Sequence, residues 1–385
     1  MSGKRFFFVE PSKVGFQHIT LIEGYLRALI TSVQLTRTHT MTFVSSRSTY
    51  AHLSADLRAS VNYEEVLVMN PEKRRLILKT IVEFFVVLRY LMRIRPGDIL
   101  FISCVLPTTL VALEYVNLIL RRTDLFVTLH GETEGLLDKS VKRIASYGYW
   151  MELWLRTRRT SSMLSLVVID DFIKLRLLDA FPEKLCSGQI SVVHHPITAF
   201  VSTTASTRLP KSFVACFIGY RTKLKGFDQF AAIAGVVTGL RFVAIGGGVV
   251  VDSPGGELRR IDGTAAYIHA IAECTVAIFP YIGGYTGSLS AAVLDALSAG
   301  VHVIATRREC FVSLAEYFGP DFITLYDHPE EVVDILENAE WLTRQADLQA
   351  MRLEQLGSSR YAISGIRSCF ERLVPLPVFC KDGIS

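Results

Sequence analysis

IFPYIGGYTGSLSAAVLDALSAG, residues 278–300, runs from an apolar stretch through a glycine-rich loop into a helical pattern. That succession reads as buried strand, tight loop and helix, the unit from which a parallel sheet covered by helices is built. Gly283, Gly284 and Gly287 let the backbone approach a ligand closely. Ser288 and Ser290 are candidate caps, and the first N–H groups of the helix, around Ser288, Leu289 and Ser290, point at an anion. Asp295 lies about one turn further on, where a carboxylate can accept hydrogen bonds from two ribose hydroxyls. Read alone, it is an ordinary polar helix position.

Upstream, FIGYRTKLKGFD (217–228) ends a strand at Gly219 and places cations before a helix that opens near Gly226. Arg221 can grip phosphate oxygens with its planar fork, and Lys225 can neutralise charge on the same group. The plainer alternative is a solvated basic turn.

The same alternation extends in both directions. Lys4–Pro11 reads as a first strand, followed by a turn at Gly15 and a helix from about His18 to Ile30. Further strands are expected at Met41–Ser45, Glu65–Met69, Asp98–Ser103, Asp124–His130, Ser165–Asp170 and Ile190–His194. After AFVSTTASTRLPKS (199–212), which has no periodicity and reads as a linker, strands recur at Phe213–Gly219, Phe242–Gly246, Val276–Pro280 and Val303–Thr306. The expected fold is therefore α/β: two doubly wound, parallel-sheet, Rossmann-like domains facing a cleft, at residues 1–198 and 213–357, with residues 358–385 left over.

Composition narrows the functional classes. Half of the 385 residues are apolar and 20% are charged, which suits two cores and excludes wholesale disorder. Residues 1–200 carry 25 Lys+Arg against 18 Asp+Glu, and residues 201–385 carry 16 against 19, so the two halves face different partners. No nucleic-acid-binding signature is present, and no nucleic acid partner is expected. Seven scattered cysteines without a Cys-x-x-Cys pair read as reduced thiols of a cytoplasmic protein. The N-terminus reads as a strand, not a signal peptide, and no apolar run reaches the ~20 residues that spanning a bilayer needs.

Taken together, 217–228 and 278–300 resemble the phosphate loop and acidic-loop helix of retaining nucleotide-sugar glycosyltransferases with the GT-B fold, most similarly the large group-4 family. The order and separation of Arg221, Lys225 and Asp295 match, as do the strand and turn at Phe242–Gly248 and the strand Val303–Thr306, so the likeness covers most of 213–335. It implies a C-terminal domain that binds a nucleoside-diphosphate sugar as donor substrate, with no other cofactor, through Gly219, Arg221, Lys225, Gly287, Ser288, Leu289, Ser290 and Asp295. It implies an acceptor-binding domain at 1–198 and a helix within 358–385 that crosses back to it; the turn at Gly15, read from the residues alone, can let the acceptor or the donor phosphate pass close to the backbone. His130, ending the strand Asp124–Leu129, matches a histidine that orients the reacting carbon; a histidine capping the strand is the bland alternative, and Glu132 or Glu134 competes as base. With Arg221 and Lys225 it makes up the expected catalytic group. His194 and His195 read as structural. No Asp-x-Asp motif is present, so no metal is expected.

One position departs from the family. Its first glutamate, eight residues before the place of Asp295, is Gly287 here. A catalytically inactive subunit that binds a nucleotide sugar or a partner enzyme is therefore the alternative to an active transferase. A nucleotide-sugar epimerase would bring further acid and histidine catalysts, and a dehydrogenase would carry Gly-x-Gly-x-x-Gly after the first strand.

Two basic, aromatic stretches bear on the acceptor. Glu72–Arg95 holds seven cations and two acids among dense apolar residues, and Lys139–Arg159 holds six cations and one acid beside Tyr147, Tyr149, Trp150 and Trp154. Such faces suit an anionic membrane surface, which would place the protein on its cytoplasmic side with a saccharide or lipid-linked saccharide as acceptor, in cell-surface polysaccharide synthesis. The competing expectation is a pair of amphipathic helices packed on the first sheet.

Overall fold

A computed structural model describes residues 4–15, 18–69, 76–121, 124–137, 147–159, 162–197, 213–246, 249–253, 258–260 and 264–374. The stretch expected to be the linker, 199–212, lies outside the described residues, as do Lys139–Arg143 of the second basic stretch.

The first sheet contains β1 (Lys4–Val9), β2 (His39–Ser45), β3 (Asn62–Glu65), β4 (Ile99–Ile102), β5 (Leu125–Leu129), β6 (Ser165–Val168) and β7 (Ile190–Val192). Its order is β3-β2-β1-β4-β5-β6-β7, and every pair is parallel. The strands are short apolar runs such as LFVTL, buried on both faces, which is the signature of a sheet with helices on either side. β3 pairs Thr42 with Asn62, so the strand precedes the apolar run expected at Glu65–Met69.

The second sheet contains β8 (Val214–Ile218), β9 (Arg241–Gly246), β10 (Val249–Ser253), β11 (Leu258–Arg260), β12 (Val276–Phe279), β13 (His302–Thr306) and β14 (Ile323–Tyr326), in the order β11-β10-β9-β8-β12-β13-β14. The four pairs that join β9, β8, β12, β13 and β14 are parallel, and β10 pairs antiparallel with both β9 and β11, so the sheet is mostly parallel as expected. Val249 pairs directly and antiparallel with Gly246, a separation in sequence too short for a crossover helix. In each sheet the order reverses beside the first strand, between β1 and β4 and between β8 and β12, and the carboxyl ends at such a reversal are where ligands bind in open α/β sheets.

The last described helix, Ile363–Leu373, packs on the first sheet's side of the molecule. The Phe370 ring lies 5.3 Å from both Tyr25 and Phe101 and 6.5 Å from Phe6, and the Ser32 hydroxyl donates to Glu371 at 2.7 Å. Burying such an aromatic ring contributes about 1.5–3 kcal/mol. Between the domains, Arg176 pairs with Glu309, Arg360 with Asp171 at 2.8 Å, and Tyr361 with Asp170.

Cys104, Cys216, Cys274, Cys310 and Cys369 are free and buried, and Cys186 is free and exposed. No helix of the described residues is long and apolar enough to cross a membrane.

Candidate functional site

The two segments that decided the fold meet at the carboxyl edge of the second sheet. Beyond β8 the chain turns through Lys223–Lys225 and reaches Gly226 with φ +68°. A Cβ at Gly226 would lie 1.7 Å from the Pro280 carbonyl oxygen, so only glycine lets this loop dock on the loop after β12. The Ile282 N–H donates to the Leu224 carbonyl at 3.1 Å and fixes the junction.

That docking carries Lys225 inward. Its ammonium lies 5.4 Å from the Tyr281 ring and 6.0 Å from the Tyr285 ring, beside the place where a Cβ on Gly219 would come within 2.9 Å. Burial lowers the pKa of Lys225, against the pull of Asp295. Asp295 sits in the Ala291–Ser298 helix, 9% exposed, and accepts from the Tyr267 hydroxyl at 3.1 Å. Burial raises its pKa to about 7, more than the Tyr267 bond and Lys225 lower it. A half-buried amine and a buried carboxyl thus lie within electrostatic reach of each other, each disfavoured in its charged form. Arg221 stays on the exposed rim, its guanidinium 5.8 Å from the Phe227 ring, with no bond to either of them.

Neither serine caps the helix as expected. Ser290 holds the N-cap position, but its hydroxyl pairs with the Tyr281 hydroxyl at 2.9 Å. Ser288 donates instead to Glu134 of the first domain at 3.1 Å, and the Thr286 and Gly287 N–H groups are bonded to the same carboxylate. Leu289 is buried beneath the loop in the main core.

Across the crevice, His130 follows β5 and is 9% exposed. Its Nε2–H donates to the Ser103 carbonyl at 3.0 Å, which leaves Nδ1 as an acceptor, and its ring lies 4.9 Å from that of His18. Burial drives the pKa of His130 down to about 3 and that of His18 well below its usual value, so both are neutral at neutral pH. Glu132 is 5% exposed, accepting the His130 N–H at 2.8 Å and the Cys104 thiol at 3.6 Å, and so holds this turn in place. Gly15, with φ +62°, donates its N–H to Ser48 at 3.2 Å, on the first domain's side of the crevice.

Three ionisable residues near His130 escaped the sequence reading. Glu10 is fully buried, bonded to the Ser12 and Lys13 N–H groups and to Ser103. Lys79 and Glu83 are both buried in the Leu76–Arg93 helix, where burial lowers the first pKa and raises the second to about 7. Their four-residue spacing on an apolar helix face was the available signal. His194 bonds Asp171 at 3.0 Å and His195 is buried against Pro196, as structural histidines at the domain junction.

No family model matches the chain, and no curated protein matches it significantly. Solved structures do. A sucrose-phosphate synthase from Thermosynechococcus elongatus superposes with a TM-score of 0.62 at 12% identity, over 96% of this chain and 98% of that one. WaaG, a glycosyltransferase involved in lipopolysaccharide biosynthesis, gives 0.64 at 10% identity, over 96% and 99%. Anabaena HepE in complex with UDP-glucose gives 0.60 at 13% identity, over 96% and 99%. The chain has the GT-B fold.

Within this GT-B frame the basic stretches separate. Arg158 and Trp154 are internal: the guanidinium donates to Glu114 at 2.9 Å and to the Leu164 carbonyl at 3.0 Å, whereas Arg156 and Arg159 of the same stretch are exposed. On the Leu76–Arg93 helix, Ile77, Ile81, Phe85 and Met92 stand exposed along one face, with Arg89 beside them. Tyr115 and Ile119 are exposed on the neighbouring Pro107–Leu120 helix.

Proposed function

We propose that this chain transfers a sugar from a nucleoside-diphosphate sugar to a saccharide or lipid-linked saccharide acceptor. The observation that carries the reading is that Lys225, on the loop after β8, and Asp295, on the helix after β12, lie within electrostatic reach of each other at the switch point of the second sheet, while the neutral His130 ends β5 of the first. Lys225 neutralises the leaving diphosphate, Asp295 holds the ribose, and the Nδ1 lone pair of His130 accepts a hydroxyl of the donor sugar. The bond from the anomeric carbon to the diphosphate oxygen breaks and one to the acceptor oxygen forms. The acceptor proton leaves with the phosphate. Positive charge grows on the sugar and negative charge on the phosphate, so stabilising that leaving group is the main task. The same reading has the reaction metal-independent and retaining, with Arg221 closing over the phosphates from the rim. The fold it shares with a HepE structure holding UDP-glucose and with the lipopolysaccharide enzyme WaaG supports a role in cell-surface polysaccharide assembly.

The exposed face Ile77–Met92 supports docking on an anionic membrane at the cytoplasmic surface, since apolar side chains beside cations bind such an interface. Liposome flotation tests this: Ile81→Asp with Phe85→Asp is expected to abolish binding, and unchanged binding removes the face from the reading.

Turnover tests the whole. The purified chain is expected to be stabilised by nucleoside diphosphates and to release one from a nucleotide sugar when an acceptor is present. Stabilisation without release under any acceptor would favour an inactive binding subunit, for which Gly287 is the specific observation.

A further inference from the structure

Position 287 is a glycine where the resemblance calls for an acid, and the packing explains the vacancy. A Cβ there would lie 2.5 Å from Leu137 Cδ1 and 3.1 Å from the Thr133 carbonyl oxygen. The space a larger residue needs belongs to the Gly131–Leu137 segment of the first domain.

From that same segment a carboxylate comes back. Glu134 Oε1 accepts from the Thr286 N–H at 3.2 Å and the Thr286 hydroxyl at 2.9 Å. Its Oε2 accepts from the Gly287 N–H at 2.9 Å and the Ser288 hydroxyl at 3.1 Å. Four donors match the four lone-pair sites of one carboxylate, and hydrogen bonds to an ionised acceptor are about twice as strong as neutral ones. The Thr133 hydroxyl adds a contact to the Gly287 carbonyl. Loop 286–288 therefore takes its shape from the opposite domain.

We infer that Glu134 is the acidic residue of the donor loop, supplied across the cleft in place of a side chain at 287. It is a positioning residue: it shapes the loop that meets the sugar, while the nucleotide half of the site, Lys225 with Asp295 and Tyr267, is contained in the second domain. Sugar recognition then requires the two domains to be together, and nucleotide recognition does not. This rests on the donor reading proposed above.

The full chain and its Glu134→Ala and Glu134→Gln variants are titrated with UDP and with UDP-glucose, and amide hydrogen exchange is followed over 283–289 without ligand. Glu134→Ala is expected to weaken UDP-glucose about tenfold or more, about 1.4 kcal/mol, while UDP changes less than about twofold. Glu134→Gln, which keeps one acceptor oxygen, is expected to fall between. Exchange over 283–289 is expected to speed up in Glu134→Ala and to stay constant in the β12 strand. Equal losses for both probes, no loss for UDP-glucose, or unchanged exchange overturn the inference. The exchange arm needs no ligand, so it judges the interdomain contact separately; a wild type that binds neither probe counts against the donor reading instead.

Discussion

Replacing Asp295 by asparagine is expected to make the protein more stable yet poorer at holding nucleotide, with the stability gain tied to pH. The carboxyl is 9% exposed, and burial raises its pKa from 3.8 to about 7 over the opposing effects of Tyr267 and Lys225. In the unfolded chain the group ionises near 3.8, whereas the folded chain keeps the proton to about 7. Folding takes up a proton between those values, so this group's contribution falls as pH rises through the window and levels off above it. A rise of about three units corresponds to roughly 4 kcal/mol at 1.36 kcal/mol per unit, an upper bound, and on the order of 2 kcal/mol is expected after the site relaxes. Asparagine keeps the shape and an oxygen for the Tyr267 hydroxyl but carries no charge. At roughly 2–4 °C per kcal/mol for a domain of this size, Asp295→Asn is expected to melt several degrees above wild type at pH 8. The two curves should converge toward pH 4. Differential scanning calorimetry across pH 4–9 without ligand, paired with nucleotide titration, makes the measurement. A gain independent of pH, or a variant less stable at pH 8, refutes the reasoning.

Lys225→Ala is expected to weaken nucleoside diphosphate binding about tenfold or more and Arg221→Ala by less than about threefold, since only the first is drawn inward; isothermal titration ranks them. Gly287→Ala is expected to loosen the domain contact, with Leu137→Ala restoring it, as read by hydrogen exchange over 283–289. Arg352 is fully buried and donates to the Gly300 and Gln345 carbonyls at 3.1 and 3.0 Å, so Arg352→Met is expected to cost about 3 kcal/mol in denaturant unfolding. The pH–rate profile is expected to show no inflection from His130 between pH 5 and 8, because burial holds it neutral; an inflection near 6.5 that vanishes in His130→Ala contradicts this.

The fold class was legible because its signal is local. Runs such as LFVTL and VACFI are too short and too apolar for anything but strands buried on both faces, and the glycine turns between strand and helix lie in the same few residues. The antiparallel β10 and β11 were missed because the edge strand LRR is short and charged and its neighbour VVVDS shows no alternation. Arg158 read as a surface cation since its partner, Glu114, is 44 residues away. Glu134 was read as a rival base to His130 for the same reason: its bonding partners begin 152 residues downstream, beyond any motif window. The serines read as helix caps, but a carboxylate from the other domain and the Tyr281 hydroxyl outcompeted the backbone for them.

The packing of Phe370 on Phe6, Tyr25 and Phe101 has a consequence during synthesis. The first sheet is complete at Val192, yet one of its faces waits for an aromatic ring made some 180 residues later, roughly 10–35 s at synthesis speeds of about 5–20 residues per second. Until then the nascent N-terminal half carries an open aromatic patch on the ribosome. A chain that stops short of the last helix keeps that patch for good, so C-terminal truncations are expected to aggregate through their opposite end.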